Sequence, residues 1–160
     1  MSSSDDAQRD SDLRYRLNVA AILQNAEGKI LICERLNVLG AWQFPQGGVE
    51  ENENLEQALE RELNEEIGLR PEHYRVLERK GPYRYVFGEN RLVKGFHGKE
   101  QYYFLIEFTG PENAINFRTE HPEFRDVKWI TPEDFDIGWL PEMKRAVYRA
   151  VFKDFFGAAI

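Results

Sequence analysis

One segment of the sequence, between residues 47 and 68, restricts the fold most strongly. Asn54 and Gln57 have the spacing of a capping box, and Gly68 follows where helices commonly end in a left-handed residue. Between these limits, apolar side chains recur every three or four residues: Leu55, Ala58, Leu59, Leu63 and Ile67. The pattern predicts a helix with one apolar face, and such a helix has to pack against another layer of structure.

The rest of the chain has mainly the pattern of β-strands. The apolar runs at residues 16–23 and 29–35 flank a turn that contains Gly28, where we expect a positive φ. Further strands are predicted at residues 42–44, 76–77, 83–87, 102–108 and 127–130, and a second amphipathic helix at 141–156. Because strands outnumber helices and are expected to pair through hairpins, the order favours an α/β or α+β sandwich with a mixed sheet.

Length and composition bound the organisation of the chain. Its 160 residues suit a single domain, which we expect over residues 13–160, after a disordered tail at residues 1–12. No apolar run approaches the roughly 18 residues that cross a bilayer, so no membrane contact is expected. The polar N-terminus and the single cysteine, Cys33, predict a cytoplasmic protein. A net charge of −7 argues against coating of nucleic acid and against DNA-specific binding.

The charges are divided between two segments. Residues 50–66 contain eight glutamates and one arginine, so this segment alone carries the net charge of −7. Residues 79–99 contain six basic residues and one acidic residue, with four aromatic side chains interleaved: Tyr83, Tyr85, Phe87 and Phe96. Such a pair of segments fits a divalent metal beside the first and a phosphorylated, base-bearing ligand beside the second. Two solvated faces of opposite charge are the simpler alternative.

Three glutamates share one side of the predicted helix. Glu62, Glu65 and Glu66 stand at positions i, i+3 and i+4, on the border of the apolar stripe. Like charges that are held close together and partly buried repel each other, so we expect a compensating cation. Oxygen ligands with no histidine or cysteine nearby favour Mg²⁺ or Mn²⁺ over zinc. A solvated acidic helix face is the alternative, and a pairing of Arg61 with Glu53 would fix the preceding loop onto the helix.

The spacing across this segment resembles the Nudix box, the signature of the Nudix hydrolase family. The box runs from Gly47 through Glu53 to the stretch Arg-Glu-Leu-Asn-Glu-Glu-Ile-Gly-Leu at residues 61–69, and every fixed position is filled. The resemblance implies an α/β/α sandwich with a mixed sheet, which we take as the fold class. It also implies hydrolysis of a nucleoside diphosphate that is linked to another group.

The same resemblance implies a role for each residue of the box. Divalent metal, Mg²⁺ or else Mn²⁺, is expected on Glu62, Glu65 and Glu66, with a backbone carbonyl at Gly47 contributing. Structural roles within the motif are expected for Glu53, Arg61 and Gly68. The general base varies within the family, so either Glu65 or Glu66 is expected to take the proton from a metal-bound water.

Stretches outside the box are similar to one branch of the family, which holds bacterial RNA pyrophosphohydrolases and plant-type asymmetric dinucleoside tetraphosphate hydrolases. The matching stretches are residues 15–19, 42–48, 98–104, 122–129 and 143–148. The branch implies phosphate contact by Arg16 and a further catalytic, metal-binding carboxylate at Glu123. Where the branch commonly has Pro, Trp and an aromatic residue, this chain has Leu17, Tyr103 and Met143.

The branch and the basic segment together give the residues expected to bind substrate. These are Arg16, Gln46, Arg84, Tyr85, Lys99, Gln101 and Met143. Tyr85 is equally well explained as a core residue.

Three functions stay open. The preferred one is removal of pyrophosphate from the 5′-triphosphate end of RNA, because the open basic segment could follow a few nucleotides of backbone; nucleoside triphosphates are expected side substrates. The second is asymmetric hydrolysis of diadenosine tetraphosphate to ATP and AMP, and the third is a non-catalytic nucleotide sensor. The sequence predicts neither the oligomeric state nor the preferred base.

Overall fold

The computed structural model describes residues 12–160, so the predicted tail lies outside the described residues apart from Asp12. The described chain forms seven strands: β1 (Tyr15–Gln24), β2 (Ile30–Arg35), β3 (Trp42–Gln43), β4 (Gln46–Gly48), β5 (Tyr74–Val86), β6 (Gly98–Phe108) and β7 (Phe124–Ile130). Two helices accompany them, α1 (Leu55–Ile67) and α2 (Glu142–Phe156). Short 3₁₀ turns lie at Pro71–His73, Glu112–Ala114, Pro132–Asp134 and Ile137–Trp139.

The strands form one mixed sheet with the order β3-β2-β1-β6-β5, in which β4 also pairs with β1 and β7 with β2. The central strands β1 and β6 run parallel along ten residue pairs, from Tyr15 opposite Gly98 to Gln24 opposite Glu107. The other pairs are antiparallel. Parallel pairing of β1 with β6 requires a long crossover, which α1 and β5 provide.

Each face of the sheet carries its own hydrophobic core. In β1, Val19, Ala21 and Leu23 pack in a cluster with α1, whereas Ala20 and Ile22 pack in a cluster with α2. Because successive side chains of a strand point to opposite faces, a run of buried apolar residues needs a helix on both sides. The predicted α/β/α sandwich with a mixed sheet is therefore confirmed.

Helix α1 has the ends that the sequence predicts. The Gln57 N–H donates to the Asn54 side chain at 2.8 Å, and the Asn54 N–H donates to Gln57 Oε1 at 2.9 Å. Gly68 ends the helix with a φ of 66°, and its N–H donates to the Asn64 carbonyl at 3.0 Å. Both ends are fixed by local bonds, so the register of every acidic side chain on α1 is fixed as well.

The structure corrects two predictions about the strands. The separate strands predicted at residues 76–77 and 83–87 belong to one strand, β5, which changes register between Val76 and Glu78 and between Lys80 and Tyr83. These shifts break the alternation of apolar and polar residues from which the sequence was interpreted. No strand is predicted at residues 46–48, yet Gly47 and Gly48 pair with residues 19 and 18 of β1 as part of β4. Within residues 12–160, no helix is both long enough and apolar enough to span a membrane.

Candidate active site

A cavity of about 820 Å³ opens over one end of the sheet. Its wall is made by the acidic side of α1, the backbone of β4 and the first polar residues of β1. Two loops complete the wall, one between β5 and β6 and the other just before β7. Acidic and basic segments that are distant in the sequence therefore face a common space.

The three glutamates of α1 line this cavity but differ in exposure. Glu66 is only 8% exposed, and the side chain of Glu62 is 14% exposed. The side chain of Glu65 is 59% exposed. Glu62 and Glu66 therefore lie at the base of the cavity, and Glu65 lies at its rim.

Arg61 connects the acidic helix to the loop before it. Its Nη2 lies 2.6 Å from Glu53 Oε1 and donates at 2.8 Å to the Gly48 carbonyl. Its Nη1 lies 2.7 Å from Glu62 Oε1 and 3.2 Å from Glu65 Oε2. The hydrogen bond from Arg61 lowers the pKa of the Glu53 carboxyl. Arg61 therefore supplies part of the positive charge that the sequence interpretation assigned to metal alone.

Glu66 is the most deeply buried of the three glutamates of α1. Burial first, and then repulsion from Glu62 and from Glu123, raise the pKa of Glu66 to about 9. Its Oε2 atom is buried and has no hydrogen-bond partner within the part of the chain that the structure describes. A buried oxygen left in this way, beside two other carboxylates, is the donor set that a hard divalent cation prefers.

The glutamates are not drawn into a closed set of ligands. Among residues 12–160, no three acidic, histidine or cysteine side chains are gathered closely enough to hold a metal ion. Because Arg61 already binds Glu62 and Glu65, a cation at this place would take over part of those contacts. The residue types and the buried oxygen of Glu66 fit a divalent metal.

The glycine pair of β4 allows the backbone to approach charged side chains closely. A Cβ atom at Gly47 would overlap the carboxylate of Glu62, and one at Gly48 would overlap the guanidinium of Arg16. Any larger residue at either position would push a site residue away. The backbone of Gly47 therefore lies against Glu62, where the sequence resemblance expects its carbonyl to contribute to metal binding.

Cations line the side of the cavity next to β1 and β6. Arg16 and Lys99 are register partners on these two parallel strands, and both line the cavity. Lys99 Nζ donates to the Gln46 side-chain oxygen at 3.1 Å. Burial, followed by repulsion from Arg16, lowers the pKa of Lys99. Arg16, Gln46 and Lys99, all expected at the substrate, thus meet beside the acidic end of the cavity.

Glu123 reaches the same cavity from the loop before β7. It is part of the cavity wall, and its charge contributes to the raised pKa of Glu66. Its backbone carbonyl accepts a hydrogen bond from the Leu36 N–H at 2.9 Å, which attaches this loop to the end of β2.

Two residues of β5 that were expected to bind substrate, Arg84 and Tyr85, are not part of the cavity wall as described, so their substrate contact stays a prediction. Arg84 Nη2 lies 3.1 Å from Glu100 Oε1, and its guanidinium covers the Tyr15 ring at 4.9 Å. Tyr85 is 7% exposed and belongs to the core beneath α2. In the described chain neither residue lines the cavity. The reason is strand alternation, which sends one side chain to the surface and its neighbour into the core.

Gln101 and Met143 are also outside the cavity wall as described. Gln101 is 3% exposed and donates to Asn18 Oδ1 at 2.9 Å, so it supports the cavity from below. Met143 packs against the core at the start of α2. Direct substrate contact by these two side chains stays a prediction that the cavity wall does not support.

Three polar residues near the cavity were missed from the sequence. Asn18 lines the cavity and is 1% exposed, and its position directly before the apolar run at residues 19–23 was the available signal. Lys144 Nζ donates to Gln43 Oε1 at 3.2 Å, and burial, Lys99 and Arg35 together lower its pKa to about 8. Lys144 directly follows Met143, and Arg35 ends β2. Only the tertiary structure shows that these two cations approach Lys99.

Comparison with known proteins shows the family of the chain. The family profile described as NUDIX domain matches residues 14–155. An RNA pyrophosphohydrolase of Shewanella frigidimarina is 38% identical over 154 residues, which cover 91% of this chain and 87% of that protein. An RNA pyrophosphohydrolase of Erythrobacter litoralis is 40% identical over 152 residues, which cover 90% and 92%.

Solved structures agree on the fold. A C. elegans Ap4A hydrolase in a binary complex aligns with a TM-score of 0.64 at 19% identity, covering 89% of this chain and 98% of that one. The E. coli dihydroneopterin triphosphate pyrophosphohydrolase aligns with a TM-score of 0.66 at 19% identity, covering 89% and 97%. The match along residues 14–155 and the identity to these relatives confirm the family that the spacing between Gly47 and Gly68 predicts: the chain belongs to the NUDIX domain family.

Proposed function

We propose that this protein is a Mg²⁺-dependent pyrophosphohydrolase that removes pyrophosphate from the 5′-triphosphate end of RNA. The relatives named RNA pyrophosphohydrolase, which align over nine-tenths of the chain, support this substrate. The observation that carries the proposal is a single cavity in which buried carboxylates of α1 face the cations of β1 and β6. A polyphosphate needs both, because its reacting phosphate requires metal and the remaining charge requires cationic side chains.

The carboxylates divide into two tasks. Glu62, Glu65, Glu66 and Glu123, with the carbonyl of Gly47, would hold the divalent metal that Nudix hydrolases generally use. When bound, Mg²⁺ would neutralise phosphate oxygens and lower the pKa of a coordinated water. Glu66 is the most buried of these carboxyls and faces the cavity beside Glu62 and Glu123, and we assign to it the acceptance of a proton during hydrolysis.

The cations bind the part of the polyphosphate that does not react. Arg16 and Lys99 line the same cavity as the glutamates of α1. Lys144 and Arg35 lie near Lys99 and add further positive charge on that side. Charge-assisted contacts of this kind orient the triphosphate, so that the attacking water and the leaving group are in line. The side-chain oxygen of Gln46, which is half-buried, accepts a hydrogen bond from Lys99 and thus fixes the ammonium group in place.

The proposal keeps the cytoplasmic location that the sequence predicts, which suits the free, buried thiol of Cys33. It also keeps nucleoside triphosphates as side substrates, since the groups named above contact phosphate and metal. The structural likeness to an Ap4A hydrolase at 19% identity concerns the fold, so diadenosine tetraphosphate is an outcome of the test below.

The test is product analysis with purified protein and three substrates. Triphosphorylated RNA should yield pyrophosphate and monophosphorylated RNA in Mg²⁺, and chelation of the metal should stop the reaction. Diadenosine tetraphosphate cleaved to ATP and AMP at a much higher kcat/KM would instead establish the second function. Tight nucleotide binding without turnover of any substrate would establish the sensor.

Two variants of α1 make the assignment specific. Glu66→Gln should lower kcat by about 100-fold or more, because it removes the proton acceptor and one metal ligand. Glu60→Gln is the matched control, since Glu60 is an exposed glutamate of the same helix. Equal activity of the two variants would contradict the assignment of Glu66.

A further inference from the structure

The segment between β5 and β6, residues 87–97, forms an ordered hairpin at the cavity wall. The Phe87 N–H donates to the His97 carbonyl at 2.9 Å, and Val93 and Phe96 exchange N–H···O bonds at 2.9 and 3.0 Å. Between them, Lys94 and Gly95 have φ angles of 52° and 85°, the signs that a type I′ turn requires. The tip of the hairpin is therefore held by its own backbone bonds.

Aromatic and basic side chains of this hairpin face the cavity. Phe87, Val93, Lys94 and Phe96 all belong to its wall. The Arg14 guanidinium lies 5.2 Å from the centre of the Phe96 ring. The backbone of Arg14 makes two hydrogen bonds with His97. The Arg14 N–H donates to His97 Nδ1 at 2.9 Å, and the Arg14 carbonyl accepts from the His97 N–H at 2.7 Å. Arg14 therefore fixes the position of the Phe96 ring.

The hairpin lies at the end of a polar row that begins at the carboxylates. Arg16 and Asn18 are two positions apart on β1, so their side chains point to the same face of the sheet. Both line the cavity floor. Two residues of a strand span about 7 Å, so Arg14 and the attached hairpin follow Arg16 by one more step of that length. A polyphosphate bound by Arg16 and Lys99 would carry its nucleoside toward Phe96.

We propose that Phe96, supported by Phe87, is the stacking surface for the base of the 5′-terminal nucleotide, and that Lys94 binds the phosphate that follows it. This inference rests on the proposed function, since it takes triphosphorylated RNA as the ligand. Every base has a π-face, so stacking on Phe96 gives affinity for a nucleotide end with little preference among the four bases. It also gives a role to Phe87 and Phe96, the two aromatic residues of the basic segment that line the cavity.

The test compares triphosphorylated RNA with the same oligonucleotide lacking only its 5′-terminal base. In Phe96→Ala, the KM for intact RNA should rise between about 5-fold and 100-fold, the range for loss of one stacked base, with kcat within twofold. The KM for the abasic substrate should stay within twofold of wild type. Phe96→Trp, which keeps an aromatic face, should retain most of the affinity for intact RNA.

Leu92→Ala is the matched control, because Leu92 is an exposed apolar residue of the same hairpin, 57% exposed, and is not part of the cavity wall as described. It should leave both KM values unchanged. A Phe96→Ala variant that loses affinity equally for intact and abasic RNA, or for neither, would overturn the stacking role.

The proposed function is judged separately, by whether wild-type protein releases pyrophosphate from the intact RNA at all. If it does not, the same pair of RNAs is compared by equilibrium binding with Mg²⁺ in the Glu66→Gln background. A preference for the intact RNA that Phe96→Ala removes would then support the hairpin site, and the absence of such a preference would reject it.

Discussion

The substitution Glu66→Gln should make the metal-free protein more stable while it removes activity. In the fold, the pKa of Glu66 is raised to about 9, mainly by burial, from the ordinary value of 4.5 that it regains on unfolding. Between these values the folded state holds a proton that the unfolded state releases, so stability falls as the pH rises. At pH 7, 2.5 pH units above 4.5, the cost at 1.36 kcal/mol per unit is about 3 kcal/mol.

A glutamine does not titrate, so Glu66→Gln should avoid this cost. With metal removed by chelation at pH 7, we expect the free energy of unfolding to rise by up to about 3 kcal/mol, and Tm by roughly 6–12 °C for a chain of this size. At pH 5 the gain should shrink to less than about 1 kcal/mol, because Glu66 is then close to its unfolded pKa. Urea denaturation at the two pH values measures both quantities.

Addition of Mg²⁺ should reverse the order of stability. The wild-type carboxylate binds the cation and gains stability by mass action, whereas the amide gains less. Activity should fall about 100-fold or more in the same variant. The reasoning is refuted if Glu66→Gln is less stable than wild type in chelator at pH 7, or if its gain in stability is the same at pH 5.

Three further predictions concern other residues. Arg61→Ala should lower the free energy of unfolding by about 2–3 kcal/mol in urea denaturation, since it leaves partly buried carboxylates without their cation; an unchanged midpoint would contradict this. Burial lowers the pKa of Lys144 to about 8, so its charge is lost above that pH. The KM for triphosphorylated RNA should therefore rise through pH 8 in the wild type, and a pH profile of Lys144→Met should show a KM that is already raised and does not change there. Gly68→Ala should lower the free energy of unfolding more than Gly157→Ala does. Both glycines have a positive φ, which strains an alanine equally at the two positions. A Cβ at Gly68 would in addition lie 3.2 Å from the Asn116 carbonyl oxygen, whereas a Cβ at Gly157 would meet nothing within 4 Å. Equal losses for the two glycines in thermal denaturation would remove the contact with Asn116 from the explanation.

The acidic helix could be predicted closely because its signals are local. The capping bonds of Asn54, the left-handed Gly68 and the positions of Glu62 and Glu66 all follow from spacing within one segment. Strand β5 was predicted less well, because its register shifts depend on β6, which follows after a separate hairpin. The parallel pairing of β1 with β6 has no local signal for the same reason.

The substrate side of the site shows the limit of sequence reasoning more clearly. Arg84 and Tyr85 belong to a basic, aromatic segment, but strand alternation and pairing with Glu100 direct them away from the cavity. Gln101 lies below the cavity floor, whereas Lys144, from the last helix, approaches the cations of the sheet. Charge and composition indicate which segments meet a ligand, and they do not indicate which side chains of a strand face it.

The sequence by itself determined the family and its sandwich, through motifs of fixed spacing, and the acidic edge of α1, through residues a few positions apart. Only the tertiary structure decided how the charge of that edge is shared between Arg61 and an expected metal, and which cations face it. The physical reason is that burial and long-range electrostatics depend on packing between distant segments. The pKa of Glu66 is raised mainly because the folded chain buries its side chain, and the sequence around Glu66 does not indicate that burial.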